Sequence, residues 1–129
     1  MRLLFDTHIL IAIIEGRANV LPERLRGLIE DPAGAFHVSV VSLWEIAIKH
    51  RLGKLKLSTS LHALPQMVAS MGMELMPIIA GHVLAAIQPE PPTHDPFDRL
   101  LLAQCQCEGL RLVTLDRALA SHPLAASGR

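Results

Sequence analysis

The stretch Arg2-Leu3-Leu4-Phe5-Asp6-Thr7-His8-Ile9-Leu10-Ile11-Ala12-Ile13-Ile14 decides the fold. Arg2 to Phe5 is a short apolar run that breaks at Asp6, the pattern of a strand buried on both faces. Ile9 to Ile14 is apolar again and suits a buried helix packed behind that strand. The same alternation runs outward along the chain. Pro22 to Glu30 reads as a helix with Leu25, Leu28 and Ile29 on one face, stopped by Asp31-Pro32-Ala33-Gly34. Phe36 to Val41 reads as a second strand, and Ser42-Leu43-Trp44-Glu45 opens a helix that Gly53 ends. Thr59 to Ser70 reads as a helix restarted at Pro65, Met73 to Ile78 as a third strand, and Ala80 to Ile87 as a short helix. After a proline-rich loop, Asp95-Pro96-Phe97-Asp98 starts a long helix that Gly109 stops. Leu110 to Thr114 is a fourth strand, and Asp116 begins a helical turn. Strands alternating with helices predict an α/β fold with a parallel sheet, in which ligands bind beyond the carboxyl ends of the strands where strand order reverses.

Composition narrows the function. The 129 residues fit one domain, 1–129, and half are hydrophobic, enough for a core without disulfides or zinc and a hint of a buried partner surface. Twelve basic and twelve acidic residues cancel, so any contact with nucleic acid must come from a local basic patch. With no Tyr, three Phe and one Trp, a base-stacking platform is not expected. Cys105 and Cys107, two apart in a helical run, point to opposite sides and read as small buried hydrophobes, in keeping with a reducing cytoplasm. No run reaches the roughly 18 apolar residues that span a membrane, and the N-terminus reads as a strand, not a signal peptide. A cytoplasmic location is the expectation.

Most of the acids look like surface charge, but four share a position type. Asp6 follows strand one, Glu45 lies early in the helix after strand two, Asp98 early in the helix before strand four, and Asp116 follows strand four. Each taken singly also reads as a cap. Ser42-x-x-Glu45 has capping-box spacing, Asp95-Pro96-x-Asp98 has an N-cap, a Pro at N1 and an acid at N3, and Asp116 can cap its own helix. Taken together they point elsewhere. Two like charges about 4 Å apart cost on the order of 4 kcal/mol at an effective dielectric of 20. A helix N-terminus returns only about 0.3–1 kcal/mol per acid. A divalent cation is the natural remedy, and oxygen-only donors select Mg2+ or Mn2+. Such an ion suits phosphodiester hydrolysis without a protein nucleophile.

At these residues the chain resembles the PIN-domain ribonucleases, and among them the VapC-type toxins of type II toxin–antitoxin systems. The resemblance rests on Leu4-Phe5-Asp6-Thr7-His8, on Ser39 to Lys49 around Glu45, on His94-Asp95-Pro96-Phe97-Asp98-Arg99-Leu100-Leu101, and on Leu112-Val113-Thr114-Leu115-Asp116. It implies a three-layer α/β/α domain with strand order 3-2-1-4-5 and an acidic quartet of Asp6, Glu45, Asp98 and Asp116 that holds Mg2+ or Mn2+. Thr7 and Thr114 would be hydroxyls beside it, and Asp95 either a cap or part of the metal network. It further implies an RNA substrate, a homodimer, and a cognate antitoxin whose C-terminal segment blocks the acidic pocket. One departure stands out. Ser121 to Arg129 is small, polar and broken by Pro123, which leaves the fifth strand open and 121–129 a candidate disordered tail.

Other features carry two readings. Lys49-His50-Arg51-Leu52-Gly53-Lys54-Leu55-Lys56 has four Lys or Arg residues and no acid, so Lys49 and Arg51 could line an RNA path or simply end a helix favourably. Arg99 and Arg117 adjoin quartet acids. His8 and His94 fit structural hydrogen bonds, Trp44 fits packing, and no His pair has zinc-helix spacing. The competing functions are a PIN-like RNA-processing nuclease outside a toxin system and a non-catalytic module that uses an acidic metal pocket. A phosphotransferase lacks its Gly-rich loop.

Overall fold

The computed structural model describes residues 1–126. Its centre is β1 (Arg2–Phe5), which pairs in parallel with β2 (Ala35–Ser39) on one side and β4 (Arg111–Val113) on the other. β3 (Glu74–Met76) adds in parallel to the far side of β2, so the order is β3-β2-β1-β4. Helices cover both faces, which is why consecutive residues Leu3, Leu4 and Phe5 can all be buried. Leu3 and Phe5 pack with Ile9 and Leu10 of α1 (Thr7–Ile14), Leu25 of α2 (Glu23–Ile29) and Val68 of α4 (Leu64–Ser70). Leu4 packs on the opposite face with Leu101 and Leu102 of α6 (Pro96–Glu108) and Leu119 of α7 (Arg117–Ala120). α5 (Ala80–Leu84) lies against α6. α3 (Val40–Arg51) touches both α1 and α6, and gives Ile46 to one core and Val41 to the other. This is the expected α/β/α arrangement around a parallel sheet.

The turn from β2 to α3 corrects the expected boundary. β2 ends at Ser39, whose hydroxyl accepts the Val41 amide at 3.0 Å and caps α3. The β-branched pair Val40-Val41 looked like strand, but it forms the first turn of the helix. Ser42 therefore lies inside α3, fully buried, and Ser42-x-x-Glu45 is not a capping box. Elsewhere the elements are shorter than expected. β3 stops before Pro77, which has no amide for the ladder. Thr59 to Ser70 divides into a 3-10 turn at Leu61–Ala63 and α4, with Pro65 in the first turn of α4. α5 ends at Leu84, not Ile87.

The fifth strand is reduced to one residue. Ala125 makes a single parallel bridge to Leu112, with the Leu112 amide donating to the Leu124 carbonyl and the Ala126 amide to the Leu112 carbonyl, both at 2.8 Å. The expectation of a disordered tail over 121–129 is corrected for Ser121 to Ala126. Ala126 is in the core, and His122 is buried with Nε2 donating to the Pro89 carbonyl at 2.8 Å. Residues 127–129 lie outside the described residues. The two cysteines also differ. Cys105 is buried, with its thiol pushed up to about 12 by burial, whereas Cys107 is exposed, which corrects its reading as a buried hydrophobe. Among the described residues no helix is long and apolar enough to cross a membrane.

Candidate active site

The carboxyl ends of β1 and β4 meet at the point where strand order reverses. Register pairs Phe5 with Val113, so Asp6 falls beside Thr114. The Asp6 amide continues the ladder by donating to the Val113 carbonyl at 3.0 Å. Asp6 then caps α1, its Oδ1 accepting the Ile9 amide at 3.0 Å. Its Oδ2 accepts the Thr114 hydroxyl. The same Thr114 oxygen accepts the Asp116 amide at 3.0 Å, and Asp116 in turn caps α7 through the Ala118 amide at 2.9 Å. One threonine thus fixes two acids.

The neighbouring helices supply the rest. The Thr7 hydroxyl bonds Ser42 Oγ at 3.0 Å, which ties the start of α1 to α3 in the buried interior. Three residues beyond Ser42, Glu45 is buried and pairs through Oε2 with Lys49 Nζ at 2.7 Å, an i,i+4 contact along α3. Asp95 caps α6 by accepting the amides of Phe97 at 2.8 Å and Asp98 at 3.2 Å. Asp98 sits in the first turn of α6. A cavity of about 360 Å³ lies between these elements, lined by Asp6, Glu45, Asp95, Asp98 and Asp116 together with Thr7, His8, Lys49 and Leu115. Capping and convergence are both true here. Asp6, Asp95 and Asp116 each commit Oδ1 to a helix start and still face one cavity.

The charges strain one another. Burial pushes the Asp98 carboxyl up to about 6, and Asp95, Asp116, Asp6 and Glu45 push it in the same direction. Asp6 is also raised, first by burial and further by Glu45, against the opposing pull of the Thr114 hydroxyl, the Ile9 amide and His8. The donor set is oxygen only, which suits a hard divalent cation. Among the described residues no three ligand side chains already surround a single point. A magnesium ion keeps several of its waters and takes only one or two carboxylates directly, so acids spaced around a cavity fit a hydrated ion.

Comparison with known families settles the class. The PIN domain family model matches residues 3–123. This chain belongs to the PIN-domain family. PIN domains are generally nucleases that use divalent metal ions. Two solved structures share the fold of this PIN domain. One is VapBC2 from Rickettsia felis bound to a DNA fragment from its promoter. It has a TM-score of 0.63 and 16% identity, over 97% of this chain and 96% of that one. The other is a toxin–antitoxin complex from Klebsiella pneumoniae. It has a TM-score of 0.58 and 20% identity, over 96% and 95% of the two chains. A search of curated proteins finds no match.

The basic residues of this PIN domain divide. Lys49 reaches the acidic cavity, but Arg51 is exposed at the end of α3 and lines none of the cavities described here. Arg99 is drawn away by Glu90 at 2.7 Å and the Thr93 carbonyl at 3.1 Å, and lines a separate cavity of about 350 Å³ with His82 and Leu100. A third cavity, about 610 Å³, adjoins the acidic one and shares His8, Lys49 and Leu115 with it. Its lining includes the aliphatic Ile11, Val20, Leu21 and Leu55, and it also carries Arg17 and Lys54. Sequence reasoning missed two contacts: the Thr7–Ser42 bond, which only the tertiary fold creates, and the Glu45–Lys49 pair, for which the i,i+4 spacing was a usable signal.

Proposed function

We propose that this PIN domain is a metal-dependent endoribonuclease and the toxin of a toxin–antitoxin pair. The observation that carries the reading is the convergence of five carboxylates on one cavity at the strand switch point, with Asp98 held up at about 6 by burial and, after it, by its acidic neighbours. Asp6, Glu45, Asp98 and Asp116 would hold Mg2+ or Mn2+. When bound, the ion would activate water and stabilise charge on the phosphate. Thr114 orients Asp6 and Asp116, Thr7 anchors α1 to α3, and Asp95 positions the first turn of α6. Lys49, with Arg17 and Lys54 in the adjoining groove, offers the local basic patch that a chain of zero net charge needs to hold RNA.

The toxin role is supported by the fold shared with two toxin–antitoxin structures. In this reading an antitoxin segment blocks the acidic cavity, and the protein is a cytoplasmic homodimer. Exposed Ile79, Val83 and Leu84 of the α5 region offer apolar side chains for a partner face.

The test is cleavage of labelled RNA by purified protein. Mn2+ or Mg2+ should support cleavage and EDTA should stop it. Asp6→Asn and Asp98→Asn should each lower the rate at least about 100-fold with circular dichroism unchanged. Cleavage that persists in EDTA, or in both folded variants, overturns the proposal. Growth arrest on expression, absent in Asp98→Asn, tests the toxin role separately.

A further inference from the structure

Lys49 stands at a junction. Its ammonium is 2.7 Å from Glu45 Oε2, and among the described residues it is the sole Lys or Arg lining the acidic cavity. Among the described residues none of the cavity's other acids, Asp6, Asp95, Asp98 or Asp116, has an ion-pair partner. Lys49 also lines the adjoining groove, where Arg17 and Lys54 are found. The Glu45 side chain is 8% exposed whereas that of Lys49 is 35% exposed, so the carboxylate is fixed and the ammonium can move. The lysine stem is long and flexible, with three rotatable donors.

We propose that Lys49 is a tethered counter-cation that alternates between Glu45 and the groove. Without a divalent ion it neutralises Glu45. Oε2 of Glu45 is already held by the ammonium, and an ion taking that carboxylate would meet a like charge there. Lys49 therefore leaves Glu45 when a divalent ion binds, and swings to the groove side, where it joins Arg17 and Lys54 in holding a phosphate of the RNA strand. Metal loading and grip on RNA are then coupled. Thermodynamic linkage makes that coupling reciprocal, so RNA tightens metal binding by the factor with which metal tightens RNA binding.

This inference rests on the nuclease reading, and the experiment separates the two. Mn2+ binding to metal-free protein is measured by the loss of the free Mn2+ electron paramagnetic resonance signal, without RNA, for wild type, Lys49→Met and Lys49→Arg. Removing the competitor should tighten Mn2+ binding in Lys49→Met by at least about 5-fold, and Lys49→Arg should stay close to wild type. Should Lys49→Met fail to fold, Lys49→Gln replaces it with the same expectation. RNA affinity in EDTA, where no cleavage occurs, is compared with the charge-matched Lys54→Gln. Lys49→Met should lose less affinity than Lys54→Gln in EDTA, because Lys49 is then engaged with Glu45. In Mn2+ the KM of Lys49→Met should rise at least as much as that of Lys54→Gln. Weaker or unchanged Mn2+ binding in Lys49→Met would show that the lysine only orients Glu45 or only meets RNA, and the exchange is wrong. An equal loss of RNA affinity in EDTA overturns it as well. If folded wild type binds no Mn2+, the nuclease reading fails first and takes this inference with it.

Discussion

A carboxyl group held at about 6 reports a cost that the folded protein carries at neutral pH. Asp98 binds its proton more tightly when folded, because burial and four neighbouring carboxylates disfavour its charge. The sign follows from linkage. The favourable protonated state is fully present below about pH 4, the ordinary aspartate value, and is lost as pH rises through about 6. The full shift would be worth roughly 3 kcal/mol, but Asp98 is only half-buried, and solvent screening reduces this to about 1 kcal/mol. Metal-free Asp98→Asn should therefore melt about 3–5 °C above wild type at pH 7.5, and the gap should close near pH 4. A variant that melts lower at pH 7.5 would mean that Asp98 is a structural acid. Thr114 makes the opposite case. Its hydroxyl is a donor to Asp6 and an acceptor for the Asp116 amide in a buried setting, so Thr114→Val should cost about 1–3 kcal/mol in chemical denaturation. It should also weaken Mn2+ binding, since two acids lose one anchor. Unchanged metal affinity in that variant would remove Thr114 from the site.

At the scale of elements, the caps explain both what the sequence revealed and what it hid. Asp95 before Pro96 and Gly109 after Glu108 bracket α6 where sequence rules put them, and Gly109 adopts the left-handed conformation at φ 69° that such a stop requires. The β2–α3 turn is not legible from spacing because two short polar residues compete there. Ser39 and Ser42 both precede helical sequence, and the β-branched residues between them favour a longer strand. Local spacing cannot rank the two. The buried partner of Ser42 is Thr7, 35 residues away, and that contact exists only once α1 packs on α3. The two serines should therefore behave differently. Ser39→Ala removes a cap and should cost about 0.5–2 kcal/mol. Ser42→Ala leaves the Thr7 hydroxyl unpartnered beside Asp6 and should cost about 1–3 kcal/mol, while also slowing RNA cleavage. Equal stability loss with full cleavage in both variants would return Ser42 to a purely local role.

For the whole molecule, sheet order turns four scattered carboxylates, from residue 6 to residue 116, into neighbours. The alternation of strands and helices pointed to a parallel α/β sheet, the family resemblance implied the strand order, and the switch-point rule then indicated the location without any distance. Whether side chains turn inward was not legible, and Arg99 shows why. It adjoins a quartet acid in sequence, yet Glu90 and the Thr93 carbonyl draw it to a different cavity. Lys49 lies one helical turn from Glu45 and stays. A fold that gathers this much negative charge at the carboxyl end of its sheet is destabilised by it, and a bound ion should stabilise the whole molecule. Ligand linkage gives about 2.7 kcal/mol of added stability at a free ion concentration 100 times Kd. Mn2+ should therefore raise the melting temperature of wild type by several degrees, with the increase growing logarithmically with concentration and reversed by EDTA. The rise should be larger at pH 7.5 than at pH 5, because Asp98 must lose its proton before it can take part. Asp6→Asn should blunt the response. A melting temperature indifferent to Mn2+ at both pH values would leave the acids as three helix caps, one salt-bridged glutamate and a half-buried Asp98 that share a cavity by accident of topology.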